Sequence, residues 1–131
     1  MKAETVYKLA CAIMFEKAGL DPDFQTFFPS LVTMLLQEAL PYENARRETL
    51  GQPPLEEAPA VADMEDDIPF CDLICRVALP YGMASWYFQD EMNDYRSQDY
   101  RGRYILALRE AALCHGESVA DCYGGSPSCR P

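Results

Sequence analysis

Residues 68–112 read IPFCDLICRVALPYGMASWYFQDEMNDYRSQDYRGRYILALREAA, and this stretch decides the fold. Apolar residues recur in it every three or four positions, which predicts two amphipathic helices joined by a short polar turn. Small residues follow the inner face of the first helix and predict the close approach of another backbone: Ala78, Gly82, Ala84 and Ser85. The stretch therefore predicts a packed helical hairpin, and no part of it has the residue pattern of an active site.

The first helix of this hairpin is expected to begin after Asp66 or Asp67, either of which can cap it, and to end near Asn93. Pro80 lies inside the helix and Gly82 follows closely, which together predict a kink or a local widening. Its apolar face is expected to be buried and comprises Phe70, Leu73, Ile74, Val77, Ala78, Tyr81, Ala84, Ser85 and Phe88.

The second helix of the hairpin is expected over about residues 97–114. Its buried face is predicted to comprise Tyr100, Tyr104, Ile105, Leu108, Ala111 and Ala112. Upstream, apolar periodicity predicts a helix over residues 4–18, stopped by Gly19. A further helix is expected over about residues 29–50, with a kink or a break at Pro41. The predicted core residues of that helix are Leu31, Met34, Leu35 and Ala39.

Between the second and third helices lies an acidic segment, residues 51–67, which reads GQPPLEEAPAVADMEDD. Its three prolines and six acidic side chains leave no helical period, so we expect a long exposed arm outside the core. The residues after 115 are polar and rich in Gly and Pro, and we expect them to form a flexible tail. The sequence therefore predicts an all-α, four-helix bundle-like domain over residues 1–115, with the arm at about 51–67 and the tail at 116–131.

The charge of the chain is strongly acidic and unevenly distributed. Its 131 residues are 49% hydrophobic, which excludes wholesale disorder, and they carry a net charge of −10. Residues 1–95 hold 17 acidic and 6 basic side chains, a net charge of −11, whereas residues 96–131 hold 4 and 5, a net charge of +1. An acidic surface repels phosphate and argues against a nucleic-acid reader, although it suits a protein past which DNA must slide.

The six cysteines are expected to be reduced thiols of a cytosolic protein. Glu4 and Lys8 interrupt the apolar residues at the beginning of the chain, so we expect no secretory signal. No run approaches 18 apolar residues, so no membrane span is predicted. Thiols in such a setting usually act as small core hydrophobes.

One acidic run has part of the pattern of a calcium loop. Asp63, Glu65 and Asp67 alternate like the first three ligands of an EF-hand, which also needs Gly at its sixth position and Glu at its twelfth. Those two positions are Ile68 and Ile74 in this chain. A solvated acidic run is therefore the expected interpretation.

The Cys and His residues give no recognised metal or catalytic pattern. Cys71 and Cys75 lie one helical turn apart among apolar residues, so we expect core thiols. The C-terminal group comprises Cys114, His115, Cys122 and Cys129, whose spacings differ from those of structural zinc sites. His115 is the sole histidine and stands at a predicted helix end, where it is poorly placed to act as a catalytic base. We expect no catalytic residues, no metal and no cofactor, and hence no enzyme.

Basic residues concentrate on the last predicted helix, and these are the best interface candidates: Arg96, Arg101, Arg103 and Arg109. They could meet acidic residues of a neighbouring copy, with candidates at Glu56, Glu57, Asp63, Glu65, Asp66 and Asp67. Complementary faces favour head-to-tail association, which closes into a ring when the rotation permits. Trp86 and Tyr87 face away from the predicted core stripe and are candidate contact anchors. The alternative is that the arginines form intramolecular or merely solvated charges.

The order of these elements resembles that of the small head–tail connector (adaptor) proteins of tailed bacteriophages. The resemblance covers about residues 3–112: an N-terminal helix pair, an irregular arm, and then the hairpin. It lies at packing positions, namely Ile68, Pro69, Leu73, Ala78, Tyr81, Gly82, Ala84, Asp90, Tyr100, Tyr104, Leu108 and Ala111.

This resemblance implies a structural protein of the phage neck, found in the virion after assembly and in the host cytoplasm before it. It implies a homo-oligomeric ring of twelve copies that docks under the portal protein, receives tail or stopper proteins and continues the DNA channel. Double-stranded DNA would pass through without specific binding, and no membrane would be involved. Two alternatives stay open: a small helical regulatory module that binds one protein, and a metal protein that uses the C-terminal Cys/His group.

Overall fold

The computed structural model describes residues 1–113, which contain four α-helices and one π-helical segment. The elements are α1 (Ala3–Ile13), α2 (Pro22–Thr49), the π-helical segment Ile74–Ala78, α3 (Leu79–Asp90) and α4 (Asp94–Leu113). Within these residues there is no strand, and the helices pack around one apolar core, so the all-α prediction is confirmed. The predictions for the Cys114, His115, Cys122 and Cys129 group and for the tail at 116–131 lie outside the described residues.

Helix α1 is shorter than the predicted helix over residues 4–18. Phe15 adopts the left-handed conformation (φ 58°) one residue beyond the helical cap. The Glu16 N–H donates to the Cys11 carbonyl at 2.9 Å, which satisfies a helix-end carbonyl in the manner of a Schellman motif. The chain therefore leaves the helix at Met14, and Gly19 (φ 84°) belongs to the following turn rather than to the helix end.

Helix α2 begins at Pro22, so the predicted beginning near residue 29 was wrong. The Asp21 carboxylate accepts hydrogen bonds from the Asp23 and Phe24 N–H groups, each at 3.1 Å, and thereby caps the helix. Pro22 occupies the first turn, where a missing N–H is harmless. The turn-like sequence around Pro22 is in fact an N-terminal capping motif.

The two prolines inside α2, Pro29 and Pro41, do not end it. Each removes the hydrogen bond to the carbonyl four residues earlier, on Gln25 and Gln37 respectively. Both of those glutamines are exposed, so water can reach the freed carbonyls. The helix therefore continues through Pro41, and no break occurs at this residue.

The buried face of α2 differs from the predicted core in two of its four residues. Leu35 and Ala39 are fully buried as predicted, whereas Leu31 is only half-buried and Met34 is 58% exposed. The longer helix buries an aromatic end as well, and its core residues are Phe24, Phe28, Val32, Leu35, Leu36 and Ala39. Met34 therefore belongs to a second apolar stripe, on the outer side of the helix.

The acidic segment is irregular, as predicted, but it lies against the domain. Val61 is 5% exposed and belongs to the core, which contradicts the expectation that this segment stays outside. Its N–H donates to Thr33 Oγ1 at 2.9 Å, and Asn44 makes two hydrogen bonds to the Leu55 backbone, at 2.8 and 2.9 Å. The segment is thus a strap over α2, because side chains of that helix satisfy its backbone.

The end of the strap pairs with the beginning of the chain. Ala3 and Glu4 donate their N–H groups to the Asp66 and Met64 carbonyls at 2.9 and 2.8 Å. The Asp66 carboxylate accepts from the Ala62 and Asp63 N–H groups, so it closes a turn and does not cap a helix. The predicted helix beginning after Asp66 or Asp67 was therefore wrong, and helical structure begins after Cys71.

The predicted local widening near Pro80 is confirmed as the π-helical segment that precedes α3. The Leu79 N–H donates to the carbonyl of Ile74, five residues earlier. Pro80 has no N–H and its ring would clash with the carbonyl four residues back, so a wider turn accommodates it. The segment runs directly into α3 and forms one continuous helical element with it.

The close approach predicted from small residues occurs at Gly82. A Cβ on this residue would lie 3.0 Å from side-chain carbons of Leu35 and Tyr104, which is closer than side chains normally pack. The Tyr104 hydroxyl in turn donates to the Leu35 carbonyl at 3.3 Å. Helices α2, α3 and α4 therefore meet at this glycine. The turn of the hairpin also lies earlier than predicted. Helix α3 ends at Asp90 rather than near Asn93, and α4 begins at Asp94 rather than near residue 97.

Candidate functional site

An open cleft of about 370 Å³, called here the α2–α3 cleft, lies between α2 and α3. Its walls are largely aromatic and apolar, and three carboxylates stand at its rim. The lining residues are Asp21, Asp23, Phe24, Phe27, Leu31, Trp86, Tyr87 and Asp90. A concave apolar surface with a few charged groups is the usual form of a binding site.

One wall of the cleft belongs to the outer apolar stripe of α2, which continues past the cleft to Met34 in a neighbouring depression. Phe27, Leu31 and Met34 follow one another at intervals of four and three residues, so they lie on one face of the helix. Phe27 and Met34 are each 58% exposed, while Leu31 is half-buried. This stripe is separate from the buried stripe, so α2 presents apolar residues both to the core and to solvent.

The other wall is the outer side of α3, where Trp86 and Tyr87 are half-buried. The Tyr87 ring packs edge-on against Phe24, with 5.2 Å between ring centroids, which fixes the floor of the cleft. Trp86 also lines a neighbouring depression with Met34, Glu38 and Arg101. The open surface therefore continues along α2 from Asp23 to Glu38, which corresponds to roughly 22 Å of helix.

The two ends of this surface differ in charge. Asp21, Asp23 and Asp90 make one end acidic. Burial, together with the nearby negative charges of Glu16, Glu91 and Asp21, raises the pKa of Tyr87 to about 12. At the other end the Arg101 guanidinium donates to the Glu38 carboxylate, with 3.0 Å between Nη1 and Oε1, so that end is closer to neutral. The cleft suits an apolar ligand with a positive charge at one end.

The predicted interface arginines have different surroundings. Arg101 pairs with Glu38, and Arg103 Nε lies 3.1 Å from an Asp99 carboxylate oxygen. The Arg96 guanidinium lies 5.0 Å from the centre of the Phe88 ring, in a cation–π contact. Arg109 is exposed. Three of the four arginines thus have partners in their own chain, and their pairing with a neighbouring copy stays a prediction.

The six predicted acidic candidates lie in the strap, and none of them lines the α2–α3 cleft. Five are exposed, namely Glu56, Glu57, Asp63, Glu65 and Asp67, while Asp66 is half-buried in its turn. Glu65 forms an ion pair with Lys2 at 2.7 Å. Trp86 and Tyr87 are the predicted candidates that the structure places together in the cleft.

Sequence reasoning missed the α2 half of the cleft: Asp21, Asp23, Phe24, Phe27 and the exposure of Met34. The signal was present, because residues 27, 31 and 34 form a second apolar stripe beside the buried one. It was not recognised because the helix was expected to begin near residue 29, which left Phe24 and Phe27 outside it. Asp90 was named as one of the positions that carry the resemblance.

The thiols among the described residues are structural, as predicted. Cys75 is fully buried and its burial raises the pKa of the thiol to about 12. Burial also raises the pKa of Cys11 and of Cys71. The thiolate is the nucleophilic form, so the raised pKa values disfavour reaction of these three thiols at neutral pH.

Neither metal binding nor membrane spanning finds support within residues 1–113. No group of three or more His, Cys, Asp or Glu side chains in this range is arranged to hold a metal ion. None of the helices in this range is both long and apolar enough to span a membrane.

The comparisons with known proteins give no relative. A scan against protein-family models, a search of curated proteins and a search of solved structures each found no significant match.

Proposed function

We propose that this protein is a non-enzymatic adaptor that assembles into a ring in the neck of a tailed bacteriophage, between the portal and the tail or stopper proteins. The observation that supports a binding role is the open surface of the α2–α3 cleft and its neighbouring depression, where Phe27 and Met34 are each 58% exposed beside the half-buried Trp86. Continuous apolar surface of this kind is usually an interaction site in a soluble protein. The phage neck and the ring come from the resemblance over about residues 3–112.

The packing of the hairpin is compatible with that resemblance. Seven of the twelve positions that carry it are buried: Ile68, Ala78, Gly82, Ala84, Tyr104, Leu108 and Ala111. All but Ile68, which precedes them, lie on the helical elements of the hairpin. They hold a rigid scaffold whose outer surfaces stay free for partners. This division of roles suits a subunit whose task is assembly.

The charge of the chain suits a DNA channel. With a net charge of −10, the protein repels phosphate, so DNA that passes through a ring of such subunits would not be retained. Among the exposed carboxylates are Glu56, Glu57, Asp63 and Asp67 of the strap. In a ring, these carboxylates can line the channel or lie on the outer surface.

Native mass spectrometry of the full chain tests the ring and its docking partner together. We expect an oligomer near twelve copies, formed by the protein alone or on addition of the portal protein of the same virus. A portal from an unrelated phage is the matched control and is expected to leave the subunits unbound. A chain that remains monomeric at high concentration and does not bind the portal protein of the same virus would exclude the adaptor function.

A second candidate function is a small regulatory module that binds one protein segment in the same cleft. The acidic end formed by Asp21, Asp23 and Asp90 favours a basic amphipathic segment. The stoichiometry separates the two functions, because a module forms a 1:1 complex and never a ring. Metal analysis of the reduced full chain tests the remaining alternative, in which stoichiometric zinc would point to the C-terminal Cys/His group.

A further inference from the structure

We infer that the α2–α3 cleft receives the outer face of α4 from a second copy of this chain. This inference rests on the proposed function, since it names the contact between subunits by which a ring would form. The acceptor is the cleft together with the neighbouring depression, along the apolar stripe Phe27, Leu31 and Met34 of α2. The donor is the outer face of α4, defined by Leu106 and Leu113 with Arg103 and Arg109 beside them.

The donor face carries apolar residues that the described chain leaves uncovered. Leu106 is 57% exposed and Leu113 is 71% exposed. They lie seven residues apart, so they share one side of the helix. Arg103 and Arg109 stand three residues before and after Leu106, which places a positive charge on each side of it.

The spacing of the two faces matches. Phe27 and Met34 on the acceptor are also seven residues apart, so both apolar pairs span about 10.5 Å of helix, or two turns. Helices pack when apolar side chains of one fit between those of the other at such a repeat. A helix bearing Leu106 and Leu113 can therefore lie along the cleft with both leucines against apolar wall.

Charge sets the register of the docked helix. The acidic end of the cleft, at Asp21, Asp23 and Asp90, attracts an arginine of the donor. Glu110 also lies on the donor face, so Arg103 or Arg109, and not Glu110, must stand beside those carboxylates. Arg109 is the better candidate because Arg103 is already paired with Asp99.

The contact must join two different molecules. Arg101 points toward the end of the cleft in its own chain, where it pairs with Glu38. Leu106 follows five residues later, which rotates it by about 140° around the α4 axis, away from that cleft. A chain therefore cannot fill its own cleft with its own donor face. Each copy offers one acceptor and one donor, which is the heterologous arrangement that generates rings.

Two double variants test this contact. Phe27→Glu/Met34→Glu disables the acceptor, and Leu106→Glu/Leu113→Glu disables the donor. All four side chains are more than half exposed, so both proteins should fold. The matched control is Ser30→Glu/Gln37→Glu, because both residues are exposed, lie on α2 with the same spacing and do not line the cleft.

We expect wild type and control to assemble alike in native mass spectrometry, while each double variant alone stays monomeric. An equimolar mixture of the two double variants should give a 1:1 heterodimer, because each supplies the face that the other lacks. As a milder test, Arg109→Glu should weaken assembly about tenfold at low salt, and should do so less at high salt.

The outcomes separate this inference from the proposed function. If both double variants form wild-type rings, the contact is wrong and the ring adaptor stands. If the acceptor variant is monomeric but the donor variant assembles, another segment or another protein fills the cleft, and the inference is again overturned. If wild type stays monomeric with and without the portal, the proposed function fails and this contact fails with it.

Discussion

The inner and outer sides of α3 differ in how completely they are packed. On the inner side, Gly82 has no room for even one methyl group, since Leu35 and Tyr104 lie 3.0 Å from the position of a Cβ. On the outer side, Trp86 and Tyr87 line a cleft of about 370 Å³. The smallest residue lies where helices of the same chain meet, and large aromatics lie where the described chain provides no cover. The open side is therefore where a partner would add its own surface.

The largest effect is expected for Glu43, a buried polar residue on the tightly packed inner side, called here the closed side. The buried Glu43 carboxylate accepts from Arg47 Nε at 2.6 Å and from the Cys71 N–H at 2.9 Å, which ties α2 to the segment leading into α3. Glu43→Ala removes the carboxylate partner of Arg47 and leaves the Cys71 N–H without its acceptor, so the free energy of unfolding should fall by about 3–5 kcal/mol. Urea unfolding measures it. The exposed Glu48→Ala is the control, and an equal loss in both variants would show that Glu43 is no anchor.

Gly82→Ala tests the contact between the three helices directly. The added methyl group meets Leu35 and Tyr104, so we expect the free energy of unfolding to fall by about 1–3 kcal/mol. The control is Gly102→Ala in α4, where nothing lies within 4 Å of an added Cβ and where stability should rise by about 0.4–1 kcal/mol. Thermal unfolding of both variants checks the opposite signs. A gain at both positions would contradict the tight packing.

The pH dependence of stability tests one tyrosine on each side: Tyr104 on the closed side and Tyr87 on the open side. Tyr104→Phe removes the hydrogen bond to the Leu35 carbonyl and should cost about 1 kcal/mol at neutral pH. Burial raises the pKa of Tyr104, and burial raises that of Tyr87 to about 12. A raised pKa means that the folded state holds the proton more tightly. This stabilisation is complete below the unfolded pKa of about 10 and is lost as the pH rises above it.

Urea unfolding at pH 8 and at pH 10.5 therefore gives a clear expectation for these two tyrosines. The wild type should be less stable at the higher pH, and Tyr104→Phe and Tyr87→Phe should each reduce that loss, because both phenols keep their protons in the folded state at pH 10.5 while unfolded tyrosines begin to ionise. An undiminished loss in either variant would show that its tyrosine does not hold the phenol proton in the folded state.

Phe15→Gly sharpens the comparison at the end of α1. Phe15 is 96% exposed and has a left-handed backbone, a conformation that glycine adopts without strain. The variant should gain about 0.5–1 kcal/mol of stability, since the relief of strain exceeds the entropic cost of glycine. The control is Ala12→Gly, an exposed site inside α1, which should lose about 1 kcal/mol. Thermal unfolding measures both changes in stability. A lower stability of Phe15→Gly would mean that the Phe15 side chain stabilises the monomer.

The smallest effect is expected on the open side itself. Met34→Ala should change the free energy of unfolding by less than about 0.5 kcal/mol, because the side chain is 58% exposed. Its neighbour Leu35 is fully buried, so Leu35→Ala should cost about 2–5 kcal/mol. Urea unfolding of this adjacent pair separates the two sides of α2. A loss at Met34 as large as that at Leu35 would show that the cleft is already packed.

Much of the fold could be predicted because it depends on local patterns. Periodic apolar residues indicated the helices, and the missing N–H of Pro80 indicated the widened turn before α3. The small Gly82 indicated a close approach. Helix ends were predicted less well, since they depend on hydrogen bonds to particular atoms. Asp21 capped α2 earlier than expected, and Phe15 ended α1 in a conformation that favours glycine.

The candidate site could be predicted only in part for a related reason. Trp86 and Tyr87 were recognised as residues that face away from the core, and the structure places both in the cleft. Met34 was assigned to the core because an apolar residue at helical spacing fits either of two neighbouring stripes. Which of these stripes is buried depends on where other helices lie, and this information is absent from any single segment.

By itself, the sequence determined the all-α character, the four helices, the acidic charge and the close contact at Gly82, because each follows from periodicity, composition or residue size. The tertiary structure alone decided that the acidic segment lies as a strap against α2, that Arg101 pairs with Glu38, and that one apolar stripe of α2 remains open. These outcomes depend on distances between residues far apart in the chain. Such distances are set by the packing of whole helices.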